Sequence, residues 1–501
     1  MTKKNILIFV TLSFSVHVFA MDDCLIVNNE TAFVKIESLK SSTLVKSPYK
    51  KAYEAVQNAW HCFNTQNYRQ AYKIAKKNSL YYMLALMYKD GLYVSKDIDK
   101  YWQMLNKAAD KGDAYAQSDL GYYYIYGYSD FNITPDINKA LYYLRKSEVQ
   151  GNSLAKRLLG LCYMYGYGVA QDYYKSADLL KEAADMGDAI AQSQIGEYYL
   201  QGNGVQQNIN EASRYIEMSA TQGQPYAYKL KGDMYYYGLG VTEDNLQAAQ
   251  WYQKAVDQNV TSACNQLAYM YLLGIGVEKN YNKCFTLYKQ SADNGDARGI
   301  AGLGMCYENG IAVSADINVA VSYYKNAADQ NDSFASDKLY RMYRSMYSTR
   351  DGVAEDADAA IKYLRKAVEL GNTSSIYSLG YEYYVGEIIQ ADEQKASEYM
   401  KKAADEGDVF ACAVLGTMYY SGDSGLFPKD YGKAFEYLSI AVTDPESLNE
   451  GLLADVYKKI GACYRFGRGT NKNISQASYY TELAAKYGDE GSVSAVRMMH
   501  K

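Results

Sequence analysis

Groups able to do chemistry are sparse along this chain. Ser47 and Lys50, Ser153 and Lys156, and Ser322 and Lys325 form Ser-x-x-Lys tetrads, the pairing that activates a serine for acyl transfer. No Lys-Thr-Gly or Ser-Asp-Asn stands with them, and accidental matches are expected in a chain this rich in both residues. Zinc would need ligands at set spacing, yet the histidines are only His17, His61 and His500, with no His-Glu-x-x-His and no paired Cys-x-x-Cys. A Gly-x-x-x-x-Gly-Lys phosphate loop is also missing. The pattern points away from an enzyme and calls for no cofactor and no metal. Of the cysteines, Cys162, Cys306 and Cys463 sit where equivalent positions hold Met or Tyr, which suits small core residues.

Tyrosine is the abundant functional group, 56 residues against 12 Phe, and it recurs in register. Compare LGLCYMYGYGV at 159–169, KGDMYYYGLGV at 231–241 and LAYMYLLGIGV at 267–277. Taking the small residue of this phrase as an anchor gives Ala85, Gly121, Gly160, Gly196, Gly232, Ala268, Gly304, Tyr340, Gly380, Gly416 and Gly461, and seven of the ten intervals are 36 residues. A Tyr stands three positions after every anchor, and a Gly stands six after ten of the eleven. A period of that length marks stacked repeats, in place of the three or four separate domains that 501 residues would otherwise suggest.

The elements that carry these tyrosines follow from the period. One helix runs from a small residue before the anchor to the Gly six after it, which suits a left-handed C-terminal stop. A second, KALYYLRKS at 139–147 or QAAQWYQKAV at 247–256, has apolar residues at helical spacing. It ends at Gly112, Gly151, Gly187, Gly223, Asn259, Gly295, Asn331, Gly371 or Gly407; the two departures from Gly are both Asn, so the position requires positive φ. Asp113, Asp188, Asp296, Asp332 and Asp408 stand ready as N-caps for the next helix. Gly inside a helix costs roughly 1 kcal/mol against Ala, so the anchor Gly implies a neighbouring helix too close for a Cβ. Tyr235 and its ten counterparts are expected to pack between helices with the ring buried and the hydroxyl on a polar partner. The Gly-x-Gly pairs follow helices, whereas dinucleotide loops follow strands, so they read as turns. A single hairpin cannot bury its apolar face, and the expected fold is all-α, a right-handed α-solenoid of about eleven helix-turn-helix repeats.

The paired helices, the LGxxYxxGxGV phrase and the period resemble the Sel1-like repeat, a relative of the tetratricopeptide repeat. The resemblance covers residues 80–488. Residues 21–79 would hold a degenerate tetratricopeptide-like cap hairpin, at 48–78, and residues 489–501 a capping tail. The resemblance implies a protein-protein interaction scaffold or adaptor, and among secreted bacterial members a host-contact or envelope factor. It also implies that residues one, four and five past each anchor line a concave surface. Those positions hold Tyr122, Tyr126, Tyr165, Tyr236, Tyr237, Tyr269, Tyr381, Tyr384 and Tyr420, interspersed with Glu197, Asp233, Glu308, Arg341, Arg344 and Arg465. Tyr suits recognition because it gives a large rigid contact with one hydroxyl. A protein or peptide is the expected partner; a glycan or peptidoglycan is an alternative ligand, since exposed rings also stack on sugars. Cysteine-rich relatives are similar to penicillin-binding or β-lactamase-like hydrolases, the enzymatic alternative, but their cysteines come in pairs repeat after repeat and the eight here do not.

Charge and targeting complete the reading. With 52 basic against 57 acidic residues the net charge is −5, without the footprint of a nucleic-acid binder. Lys3 and Lys4, the apolar stretch Ile6 to Val16 and Val18-Phe19-Ala20 read as a signal peptide over 1–20, giving an exported, periplasmic or secreted protein with no membrane span in the mature chain. Export permits disulfides. Cys284 and Cys306 would be level with each other on two antiparallel helices joined by the turn at 294–296 and form the expected pair, with Cys24 and Cys62 a second, weaker candidate. Repeat eight is the expected weak joint, with Tyr340 for the anchor Gly, Met346 for the terminal Gly, and STRDGVAEDAD inserted.

Overall fold

The computed structural model describes residues 24–26, 33–35, 48–129, 133–344, 354–422, 426–489 and 491–493. The signal segment 1–20, residues 345–353 with Met346 and the first part of the insertion 348–358 in repeat eight, and 490 and 494–501 of the capping tail lie outside the described residues. The chain divides into two compact units, Met1–Val260 and Thr261–Lys501. Both are all-α solenoid stacks of helix pairs; in addition, the strands Cys24–Ile26 and Phe33–Lys35 pair antiparallel, an element the helical reading did not include.

The first unit opens with the pair Pro48–Asn64 and Tyr68–Lys77, followed by five repeats from Tyr81–Asp90 with Ile98–Asp110 to Pro225–Tyr237 with Asn245–Asp257. The second holds six repeats, from Thr261–Leu273 with Tyr281–Asp293 to Glu450–Phe466 with Ile474–Lys486. Within each unit every helix packs on the next one in sequence, and first helices also meet the first helix of the next repeat.

Local signals set the helix ends. Asp113, Asp188, Asp332 and Asp408 each accept the N–H three residues on, at 2.7–2.9 Å. The turn between repeats is left-handed where the sequence places Asn: Asn259 has φ 62° and Asn331 φ 65°. The anchor glycines are close-approach sites. A Cβ on Gly232 would lie 2.5 Å from the ring of Tyr252, and one on Gly304 2.8 Å from that of Tyr324, each on the second helix of the same repeat.

The tyrosine three past the anchor departs from expectation. Tyr419 is buried, but Tyr235 and the other counterparts are only half-buried. Tyr124 stacks on Tyr143 with ring centres 6.0 Å apart and has Lys139 5.3 Å over its ring; Tyr383 stacks on Tyr399 at 5.9 Å and has Lys395 at 5.3 Å. The backbone of this residue closes the turn. In all eleven repeats its carbonyl accepts the N–H of the Asp or Asn that caps the second helix, at 2.8–3.1 Å. These second-helix caps, from Asp97 to Asn473, were not singled out in the sequence although they recur in every repeat.

Candidate binding face

The fully buried tyrosines are a different set: Tyr101 and Tyr198 pair with the hydroxyls of Tyr123 and Ser176, and four others are tied to carboxylates on neighbouring helices. Tyr252 donates to Asp233 at 2.8 Å, Tyr324 to Glu308 at 2.6 Å, Tyr215 to Asp185 at 2.6 Å and Tyr340 to Glu382 at 2.9 Å. Burial, reinforced by the Asp233 charge, pushes the Tyr252 phenol up, so it remains a donor. Phe fills the same volume but would leave those carboxylates short of a partner, which accounts for Tyr at these four positions.

This pairing revises the charged members of the candidate columns. Asp233 takes Lys229 at 2.7 Å as well as Tyr252, and Glu308 takes Lys338 at 3.1 Å as well as Tyr324. Glu197 accepts from Tyr226 at 2.8 Å, Arg341 pairs with Asp337 at 2.6 Å, and Arg344 with Glu382 at 2.8 Å. Five of the six charged positions are thus engaged inside the fold; the sixth, Arg465, has no carboxylate at ion-pair distance among the described residues and stands over the Phe466 ring.

The tyrosines of the columns are disposed otherwise. Tyr122, Tyr126, Tyr165, Tyr237, Tyr269, Tyr381 and Tyr384 are 40–59% exposed, while Tyr236 and Tyr420 are half-buried. In the first unit the rings of Tyr122 and Tyr126 are 4.8 Å apart, as are those of Tyr236 and Tyr237. Tyr165 stacks at 5.4 Å on Tyr167, an exposed ring from the Gly-x-Gly turn that the column rule misses. In the second unit Tyr381 stacks on Tyr377 at 6.4 Å, and Tyr420 meets Tyr431 at 5.3 Å. The middle residue of the Gly-x-Gly phrase is the signal that would have found Tyr167.

Groups considered for chemistry are otherwise committed. Lys156 is buried and paired with Glu148 at 3.1 Å and Glu182 at 2.5 Å, so it does not serve Ser153. Lys325 lies 5.7 Å over the Tyr343 ring, and the side chain of Lys50 is outside the described set. No three His, Cys, Asp or Glu side chains among the described residues gather as a metal would require. Cys162, Cys264, Cys412 and Cys463 are buried, and burial pushes each thiol up to about 11. Cys284 and Cys306 are both fully buried free thiols joined by a hydrogen bond, which, with burial, holds Cys306 well above the usual thiol range. Cys62 is a half-buried free thiol, and the side chain of Cys24 is outside the described set.

Comparison with protein families matches the Sel1 repeat eleven times, at residues 79–113, 114–152, 153–188, 189–224, 226–260, 261–296, 297–332, 345–372, 373–408, 409–443 and 454–489. The eighth match begins after the helix Ser333–Tyr343, where Tyr340 breaks the anchor pattern. Comparison with curated proteins gives no match. Among solved structures the chain is similar to a protective antigen with an SLR fold present in uropathogenic Escherichia coli strains, 26% identical over 86% of this chain and 90% of that one, with TM-score 0.44. It is also similar to a Sel1 repeat protein from Oxalobacter formigenes, 26% identical over 63% of this chain and 89% of that one, with TM-score 0.39. The chain belongs to the Sel1 repeat family, whose members generally mediate protein-protein interaction.

Proposed function

We propose that this Sel1 repeat protein is an exported, non-enzymatic scaffold that takes a protein or peptide partner on the tyrosine-bearing face of its first helices. The observation that carries the reading is the split within the columns: five of the six charged members are engaged inside the fold, whereas most of the tyrosines keep 40–59% of their surface in water. Exposed, rigid rings that the fold does not need for its core are what an interface uses as anchors. Export is supported by Lys3, Lys4 and the apolar stretch that follows them, and among the described residues no helix is long and apolar enough to cross a membrane. Host contact or envelope assembly would suit such a scaffold.

The test is affinity capture with the mature chain followed by mass spectrometry, then the same capture with Tyr122→Ala/Tyr126→Ala and Tyr236→Ala/Tyr237→Ala. Loss of the captured partner at unchanged melting temperature is the expected result. Capture that survives both double variants but fails when second-helix surface residues are changed would move the partner to the other face.

A further inference from the structure

In the second unit one cationic cluster has, among the described residues, no carboxylate at ion-pair distance. Arg468 lies in the turn after the helix Glu450–Phe466, and its Nη1 donates to Tyr420 Oη at 2.9 Å. Its guanidinium carbon is 4.8 Å from the ring centre of Tyr431, 5.0 Å from that of Phe466 and 5.9 Å from that of Tyr420. Three rings from three helices hold one guanidinium in place. Arg465 stands 5.8 Å over the outer ring, Phe466, and Lys429 stands 5.9 Å from Tyr431. Phe466 is 61% exposed, and Arg465 and Lys429 are exposed with it.

Arg69, Arg145 and Arg365 also have no carboxylate within 4.0 Å among the described residues, and what sets Arg468 apart is that three rings hold it where five other arginines take an acid. Arg157 pairs with Asp188 at 2.9 Å, Arg298 with Asp332 at 3.2 Å and Arg344 with Glu382 at 2.8 Å. Among the described residues no carboxylate stands within 4.0 Å of Lys429, Arg465 or Arg468. The C-terminal dipole of the helix Glu450–Phe466 supplies about half a negative charge beside Arg465 and Arg468, a fraction of what the two leave uncompensated, and Lys429 stands at the other side before the helix Tyr431–Ala441. In a chain of net charge −5, this cluster is a local reversal of sign.

The geometry also specifies the ligand chemistry. With Nη1 engaged by Tyr420 and the plane braced by rings, the Nε–H and Nη2–H edge of Arg468 is the fork that a carboxylate meets with two parallel hydrogen bonds. Bracing reduces the side-chain entropy lost on binding. Nucleic-acid binding rests on many phosphate contacts spread along a groove, whereas three cations around one aromatic wall suit a short acidic segment. We propose that Arg468, supported by Arg465 and Lys429, anchors an acidic peptide segment of the partner, its Asp or Glu on the guanidinium fork and a neighbouring apolar side chain against Phe466. This rests on the protein-binding reading, since Tyr420 belongs to the same column of rings.

The test uses the full mature chain and a fluorescein-labelled heptapeptide, Gly-Asp-Phe-Glu-Phe-Asp-Gly, against its amide twin, Gly-Asn-Phe-Gln-Phe-Asn-Gly, by fluorescence anisotropy. The acidic peptide is expected to bind at least about tenfold more tightly than the twin and to weaken as salt is raised. Arg468→Gln should lower its affinity by at least about tenfold and Arg468→Lys by less, both with an unchanged melting temperature. Tyr174→Ala, at an exposed ring outside the candidate columns, should leave it unchanged. Equal affinity for the two peptides, wild-type binding by both Arg468→Gln and Arg465→Gln, or displacement by a short oligothymidylate at lower concentration than by unlabelled acidic peptide would each overturn the proposal. A captured partner protein that Tyr236→Ala/Tyr237→Ala releases and Arg468→Gln retains would overturn it while sustaining the broader reading.

Discussion

A hydroxyl on Tyr252 does work that a phenyl ring could not, because the ring is fully buried and the oxygen lands 2.8 Å from Asp233 on the facing helix. Removing it leaves Asp233 with Lys229 alone and costs the strength of a hydrogen bond to a charged group. Tyr252→Phe should therefore destabilise the first unit by roughly 1.5–3 kcal/mol, and Tyr324→Phe, which releases Glu308, should do the same in the second. Urea unfolding followed by circular dichroism would read both, and wild-type midpoints would show the hydroxyls to be incidental. Tyr235 behaves differently. Its half-buried ring contributes less area, so Tyr235→Ala should cost roughly 1–2 kcal/mol, against roughly 3–5 kcal/mol for Tyr252→Ala. The reverse order would mean that the half-buried stacked rings, not the buried row, hold the hairpins together.

At the level of the helix pair, repeat eight tests whether one irregular unit weakens a stack. Tyr340 replaces the anchor Gly but is buried, and its hydroxyl reaches Glu382 on the next first helix, Thr373–Val385. Arg344 joins the same carboxylate at 2.8 Å, and Tyr343 still stacks on Tyr363 at 6.0 Å, so helix pairing survives the substitution. What changes is the nature of the contact, which becomes a buried polar network in which Glu382 Oε2 has no partner. Such networks lose about 3 kcal/mol or more when one member is removed. Repeats contact mainly their neighbours, so the effect should stay local. Residues 330–380 are expected to exchange amide hydrogens faster than 190–300, and Glu382→Ala should widen that gap; uniform protection across both ranges would show the network to be as firm as the glycine contact. One repeat earlier, Cys284 and Cys306 face each other across the turn between Tyr281–Asp293 and Ala297–Asn309. Exposure of the folded chain to a disulfide donor such as oxidised glutathione should convert them to a disulfide, stabilising by on the order of 3 kcal/mol for a loop of this length. Mass mapping that finds both residues alkylated after such treatment would reject the bond.

For the whole molecule, what was legible in the sequence is what the period writes. The anchor glycines, the Asn turns at 259 and 331 and the helix caps depend on residues close in sequence, so each repeat spells them again. The destination of a side chain does not repeat in this way. Tyr252 to Asp233 spans 19 positions and Tyr340 to Glu382 spans 42, and neither residue type is conspicuous without its partner. That is why charged members of the columns read as recognition residues although most of them serve the fold, and why Arg468, in a turn outside the helical register, was passed over. The tyrosines of the columns differ in that most keep an exposed ring, which leaves it available to a partner. Tyr236→Ala/Tyr237→Ala should therefore weaken partner binding by up to a few kcal/mol, the range of interface hot spots, while the melting temperature stays close to wild type. Tyr252→Ala, which faces the opposite demand, should lower the melting temperature first and binding only as a consequence. Pull-down and thermal melting on the same preparations separate the two. If Tyr236→Ala/Tyr237→Ala melts early and binds normally once folded, the exposed rings belong to the fold and the partner lies elsewhere.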